Sequence, residues 1–416
     1  MSASTNLRLT VVTTPLADAP AFTEILDAEH PLLWRRRGAG LVGYGLIQRL
    51  EFSGPNRVAD AAAAWHQIVD ASNISDTVNL PGSGLTAFGS FAFADSSQAT
   101  SVLVIPEVII GRRDGVAWIT TIARAGETAR PARIPDIAPL GNRAVTSFVA
   151  GEQSEDGYRQ SVREAVQRIL QGGVSKVVLA RDLRGTIAPG SDIRPMVMDL
   201  AQSYPDCWTY CVDGLIGSSP ETLVRVHDQT MDARVLAGTA ARGTDANSDL
   251  EAAAVLATSA KDLDEHAFAV RSVIDSLEPF TSHLTTGESP FTLRLANLWH
   301  LATDVMGAVA DGSTSLDLVA ALHPTAAVAG TPRNRALELI SELEPFDRGR
   351  YAGAVGWVGS SGDGEWAIAL RCVQISGTKV TAYAGCGVVA NSDAEAELRE
   401  TSMKFRPVVE ALSPVE

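Results

Sequence analysis

The chain has 416 residues, 45% of them hydrophobic, with a formal charge of -15. This is enough apolar material for one large domain or two or three ordinary ones. The acidic balance argues against nucleic-acid binding and gives no long-range steering of an anionic substrate, so any anion site must be local.

In chain order, MSASTNLRLT lacks a basic region followed by an apolar run, so no signal peptide is expected. No apolar run anywhere approaches the roughly 20 residues of a membrane helix. Together these predict a soluble cytoplasmic protein with no membrane partner. Residues 1–150 read as strand-rich: 40–52, 85–93 and 101–123 are strand-like, the last turning at Arg113-Asp114-Gly115, with one helix over 59–72. Gly38, Gly40 and Gly43 match G-x-G-x-x-G. A dinucleotide site needs a strand before that motif and a helix after it. Here three arginines precede it and a strand follows, so the glycines are assigned to a turn and to close sheet packing. Residues 124–153, rich in proline and arginine, read as a surface connector.

Residues 154–173 form an amphipathic helix capped by Ser154 and ended by Gly172-Gly173. Lys176 then opens an apolar strand (174–187). It is either an edge residue facing water or a desolvated lysine of lowered pKa, usable as a general base. Residues 207–228 read as strand, turn, strand, with Glu221 at the turn. Cys207 and Cys211 would lie on one strand face, too far apart along it for a disulfide, and are expected in the core. Four cysteines (with Cys372 and Cys386) and no C-x-x-C spacing suggest a reducing compartment. Residues 236–243 read as a glycine turn, and Ser248 with Glu251 as a capping box.

The helix over 261–280 carries Asp262 and Glu265 three residues apart beside an apolar stripe. Residues 291–309 read as sheet enclosing His300, expected to be buried and neutral. Residues 316–345 contain two helices around a Thr-Pro break, and 351–375 form a hairpin turning at Gly362-Asp363-Gly364. Arg371, in an apolar strand, calls for a carboxylate partner from protein or ligand. A strand then runs through a predicted turn, Gly385-Cys386-Gly387, to an N-cap at Ser392-Asp393 and a last helix. At about 100° per residue, Glu397, Glu400 and Lys404 share one face of it, with Leu398 and Phe405 toward the core. Carboxylate pairs beside two core faces are costly to bury without a counter-charge. If both faced one cavity, the oxygen-rich site, offering no thiolate, would suit Mg²⁺ more than Zn²⁺. Irregular alternation of strands and helices without a repeat predicts α+β with large, mostly antiparallel sheets.

The segments SKVVLARDL, GSSPETLVR, LAGTAARG, KDLDEHAF, LWHLAT, LHPTAAVAGTP, ELEPFDRGRYAGAVGW, GEWAIALRC, YAGCGVV and ELRETSMK occur in the order found in the chorismate-utilising enzymes, and residues 155–411 closely resemble that family. Residues 1–150 match it only in general character. The resemblance implies one large domain (1–416) of two stacked, mostly antiparallel sheets flanked by helices, with the active site between them. It implies Glu265 and Glu400 as Mg²⁺ ligands, supported by Asp262 and Glu397. It implies Lys176 as the base that activates water and Glu221 as the acid that protonates the departing C4 hydroxyl. Tyr351 and Arg371 would hold the enolpyruvyl carboxylate. Lys404, Gly385, Gly387, Gly238, Thr239 and His300 would surround the ring and its carboxylate.

Within the family, the ammonia-using anthranilate and aminodeoxychorismate synthases are disfavoured by Lys176 at the water-activating position, and no glutaminase partner is expected. Salicylate synthases, which go on to expel pyruvate, tend to carry threonine where this chain has Ala327. The resemblance therefore favours isochorismate synthase, with salicylate synthase and a non-catalytic chorismate-binding protein as alternatives. Isochorismate opens both menaquinone and siderophore routes; the strand-rich first third is more like the menaquinone branch. A monomer is the family-based expectation.

Overall fold

A computed structural model describes residues 7–414 apart from 18, 244, 295–297 and 311; the side chains of Thr239, Ala241, Lys261 and Leu298 also lie outside the described residues. Two large sheets dominate, with 13 and 10 strands among the described residues. Nearly every ladder is antiparallel; Leu9–Pro15 pairs with Asn73–Asp76 in parallel. Helices flank the sheets, as the alternation of the sequence predicts.

Both sheets take strands from the first 150 residues and from the rest. In the first sheet Leu32–Arg36 pairs with Trp208–Val212. In the second, Thr86–Ser90 pairs with Ala354–Gly359. The stretch 40–52, read as one strand, is two: Ala39–Tyr44 joins the first sheet and Gln48–Phe52 the second. Gly45, at φ +63°, makes the change of sheet, a left-handed backbone that glycine adopts without steric cost. Gly38, at φ +80°, sits in a hairpin turn, and a Cβ on Gly40 would fall 2.0 Å from the Trp34 carbonyl oxygen. The glycine motif is thus used for a turn and tight packing.

The interior is filled by large rings, among them Trp34, Trp65, Trp118, Trp357, Trp366 and Phe88, all fully buried. Each fully buried side chain of this kind is worth about 1.5–3 kcal/mol relative to exposure. One carboxylate sits among them. Glu365, in the second sheet, accepts from Trp34 Nε1 (2.8 Å) and Trp357 Nε1 (3.1 Å) and pairs with Arg113 (3.0 Å) and His227 (3.0 Å). Trp34 and Arg113 belong to the first sheet, so this cluster ties the two sheets together.

The helix after the connector, Glu155–Gln171, is capped by Ser154, which accepts from Gly157 N, and ends at Gly172 (φ +93°). The predicted Ser248–Glu251 capping box is replaced by one a turn earlier. Asp245 is the N-cap, accepting from Asn247 N and Ser248 N, with Ser248 as the reciprocal partner. A carboxylate able to take two backbone donors outcompetes a hydroxyl three residues on.

Candidate active site

The expected turn at residues 385–387 is the middle of a strand, Lys379–Val388. It pairs with the lysine strand, Lys176–Thr186, through Ala180↔Gly385, Leu179↔Cys386 and Val178↔Gly387. These glycines serve space rather than curvature. A Cβ on Gly387 would lie 2.8 Å from Lys176 Cε, and one on Gly385 would lie 3.1 Å from the Tyr351 hydroxyl and 2.9 Å from the Leu179 carbonyl oxygen. Two missing methyl groups make room for two functional side chains.

Lys176 is partly buried. Burial pushes its pKa below the usual lysine value; Glu221 opposes this, and the charge of Lys404 adds to it. Glu221 is also partly buried rather than on the surface, beyond the Ser219-Pro220 turn, where Ser219 Oγ accepts from its backbone N–H at 3.2 Å. Burial raises the Glu221 carboxyl against the opposing charges of Lys176, Arg371 and Lys404. The two groups are therefore displaced toward neutrality in opposite senses, the pattern that marks acid–base partners.

The C-terminal helix, Ala394–Leu412, starts at Asp393, which accepts from Ala396 N at 2.9 Å. Leu398 and Phe405 are buried, as their phase predicts. Lys404 Nζ contacts Glu400 Oε1 at 2.6 Å and donates to the Gly385 carbonyl at 2.8 Å, fastening the helix to the glycine strand. Glu397, Glu400 and Cys386 present ligand atoms within 4.8 Å of one another. Burial, then the charge of Glu400, raises the Glu397 carboxyl. A cysteine does stand in this group, which the sequence reading left out. Burial raises its pKa, and the thiol donates to the Glu397 carbonyl at 3.4 Å.

The acidic helix, Ala260–Leu277, is placed differently from its partner. Ser259 Oγ bonds the Asp262 carboxylate and Glu265 is exposed. Among the described residues, neither joins the Glu397–Glu400 group. Glu265 is still near enough for its charge to act on Lys176.

Residues 236–243, expected to be a turn, mostly continue the strand Thr230–Ala241, with a bulge at Gly238 (φ +79°) between the pairs Ala237↔Leu301 and Thr239↔His300. A single glycine provides the irregularity that suggested a turn. A Cβ there would come 3.3 Å from Asp262 Cβ, so the bulge also seats the acidic helix. His300 hydrogen-bonds the Gly238 backbone; burial, reinforced by Lys176, lowers it to about 4, leaving a neutral imidazole as expected. Thr239 pairs with His300 through its backbone.

Tyr351 is buried and stacks on Tyr383, with centroids 5.2 Å apart and planes 11° from parallel. Arg371 is partly buried at a left-handed turn (φ +50°) before the strand Cys372–Ser376. Among the described residues no carboxylate lies within 4.0 Å of its guanidinium. Ala327 lies in the turn in which Val328 N donates to the Thr325 carbonyl, and is partly buried. Tyr383 escaped the sequence reading, although period-2 alternation along the glycine strand puts it in line with Gly385 and Gly387.

Two interleaved antiparallel sheets carry a lysine and a carboxyl whose charges act on each other, with a carboxylate pair on the neighbouring C-terminal helix. The chain belongs to the chorismate-binding enzymes: the family described as "Chorismate binding enzyme" matches residues 8–413. It is 39% identical over 269 residues to isochorismate synthase DhbC of Bacillus subtilis, spanning 62% of this chain and 68% of that protein. It is 36% identical over 253 residues to isochorismate synthase EntC of Escherichia coli, spanning 60% of this chain and 65% of that protein. The solved structure of MenF, the menaquinone-specific isochorismate synthase of Escherichia coli, superposes with a TM-score of 0.79 at 26% identity, covering 97% of this chain and 95% of that one. Among the described residues, no helix is long and apolar enough to cross a membrane.

Proposed function

We propose that this protein is an isochorismate synthase, an isomerase that adds water at C2 of chorismate and expels the C4 hydroxyl. The observation that carries the reading is that Lys176 and Glu221, both partly buried, lie near enough for each charge to act on the other, while burial favours the free amine of one and the protonated acid of the other. Neutral Lys176 takes a proton from water as the water oxygen bonds to C2. Both ring double bonds shift, C1=C2 to C1=C6 and C5=C6 to C4=C5, the C4–O bond breaks, and Glu221 gives its proton to the departing hydroxyl, which leaves as water. One water enters and one leaves, so the reaction is an isomerisation.

The donor set fits a hard cation. Glu397 and Glu400 crowd each other, and burial disfavours the thiolate of the neighbouring Cys386. Glu400 and Glu265 would bind Mg²⁺, with Glu397 and Asp262 supporting them. Bound there, the ion would offset the charge of the ring carboxylate among the protein carboxylates. Arg371, with no carboxylate partner among the described residues, and Tyr351 would hold the enolpyruvyl carboxylate; Lys404, His300, Gly238, Thr239, Gly385 and Gly387 would line the ring. Ala327, lacking a hydroxyl, accords with stopping at isochorismate.

The test is incubation with chorismate and Mg²⁺, followed by chromatography and a coupled pyruvate assay. Isochorismate without stoichiometric pyruvate is expected. Salicylate with equal pyruvate would overturn the stop at isochorismate, and unchanged chorismate would overturn the enzyme reading.

A further inference from the structure

The lysine strand has a second edge, away from the glycine strand, and its pairing there is brief. Lys176 pairs with Thr331 and Val177 with Gly330; Val178 N then donates to Ala329 O at 2.9 Å. The edge is paired again only from Asp182, where Gly151 N donates to the Asp182 carbonyl and Val149–Ala150 pairs with Leu183 and Arg184; in the gap between, two side chains stand where a neighbouring strand would be. Arg348 Nη2 donates to the Val178 carbonyl at 2.6 Å, and Glu344 Oε1 accepts from Ala180 N at 2.7 Å. The two are joined by Nε–Oε2 at 2.8 Å and Nη2–Oε1 at 2.6 Å, and both are buried. Arg348 Nη1 also donates to the Val328 carbonyl at 2.9 Å, next to Ala327, and its own carbonyl accepts from Tyr351 N at 3.1 Å. One ion pair thus touches the strand of Lys176, the turn of Ala327 and the turn of Tyr351.

We propose that Glu344 and Arg348 are positioning residues for the reaction: their fork completes the strand edge and sets the spacing between Lys176 and the turns that carry Ala327 and Tyr351. This rests on the function proposed above. Stability alone is a poor reason for such a pair, because a buried ion pair is often no better for stability than apolar residues of similar volume. An apolar replacement, however, offers nothing to the Val178 and Val328 carbonyls or to the Ala180 amide.

The experiment compares wild type, Arg348→Lys and the double variant Glu344→Leu/Arg348→Met, each below its melting temperature. Lysine keeps the charge but lacks the fork that serves two carbonyls and a carboxylate together. The double variant removes both charges and so leaves neither buried unpaired. Both are expected to lose about tenfold to a hundredfold in kcat, the scale of a small misplacement of reacting groups, with a smaller change in KM. Lys176 should also react faster with an amine reagent at fixed pH, relative to Lys379 in the same sample. Folded variants with wild-type kcat, KM and Lys176 labelling would overturn the proposal, as would loss of folding in both, which would assign the pair to stability. The labelling comparison needs no turnover. A wild type that leaves chorismate unchanged would overturn the proposed function while the labelling still decided the positioning role.

Discussion

As the proposed base and acid, Lys176 and Glu221 set the pH behaviour expected of the enzyme. The base works only as the free amine, and burial lowers its pKa, so the amine is available at lower pH than for an exposed lysine. The acid works only when protonated, and burial raises its pKa, so the proton is kept to higher pH than on an exposed glutamate. A bell-shaped kcat/KM profile follows, and Glu221→Gln should remove the limb contributed by the carboxyl. Lys176→Ala should lower kcat about 10²- to 10⁴-fold with the fold intact by circular dichroism. Full turnover in this variant would show that another group takes the proton. The lysine was conspicuous in the sequence because a cation opening an apolar strand is costly. Glu221 in isolation looked like an ordinary turn glutamate; its burial depends on strands far away in the chain.

Among elements, the glycine strand is the informative one. Gly387→Ala should leave the melting temperature nearly unchanged, because the added methyl meets the flexible end of Lys176 rather than backbone. It should nonetheless lower kcat about tenfold or more by displacing that amine. Gly385→Ala meets a backbone oxygen and the Tyr351 hydroxyl, and should lower both stability and kcat; thermal melts and steady-state kinetics on the two variants separate these effects. Period and caps made the helices at 154–173 and 394–412 legible, together with the carboxylate face at Glu397 and Glu400. The glycine positions were read as turns, because a glycine that curves the chain and one that clears space for a neighbour look identical in one dimension. The matched spacing of Asp262 and Glu265 was visible too. It could not disclose that Ser259 bonds Asp262 or that Glu265 is exposed yet near enough to act on Lys176, since both depend on how the acidic helix seats on the bulge at Gly238.

At the scale of the molecule, Glu365 joins the sheets. Burial alone would raise its carboxyl; hydrogen bonding from His227, the charge of Arg113 and the Trp34 N–H outweigh it and bring it down to about 2. Its stabilisation is therefore complete above the ordinary value of 4.5 and is lost as pH falls from there toward about 2. Glu365→Gln should cost about 3 kcal/mol at pH 7, and its urea midpoint should converge with that of wild type across this acid window. Equal midpoints at pH 7 would show that the cluster adds no net stability. The antiparallel α+β architecture was readable from strand periodicity and turn residues, but the pairing of early strands with late ones was not. That interleaving has a consequence for synthesis on the ribosome. Leu32–Arg36 waits for Trp208–Val212, and Thr86–Ser90 for Ala354–Gly359, so the nascent chain carries open strand edges until most of it has emerged. Glu397, Glu400 and Lys404 emerge later still, so the proposed site can assemble only after both sheets have their late strands, and the open edges of the nascent chain are exposed to aggregation until then.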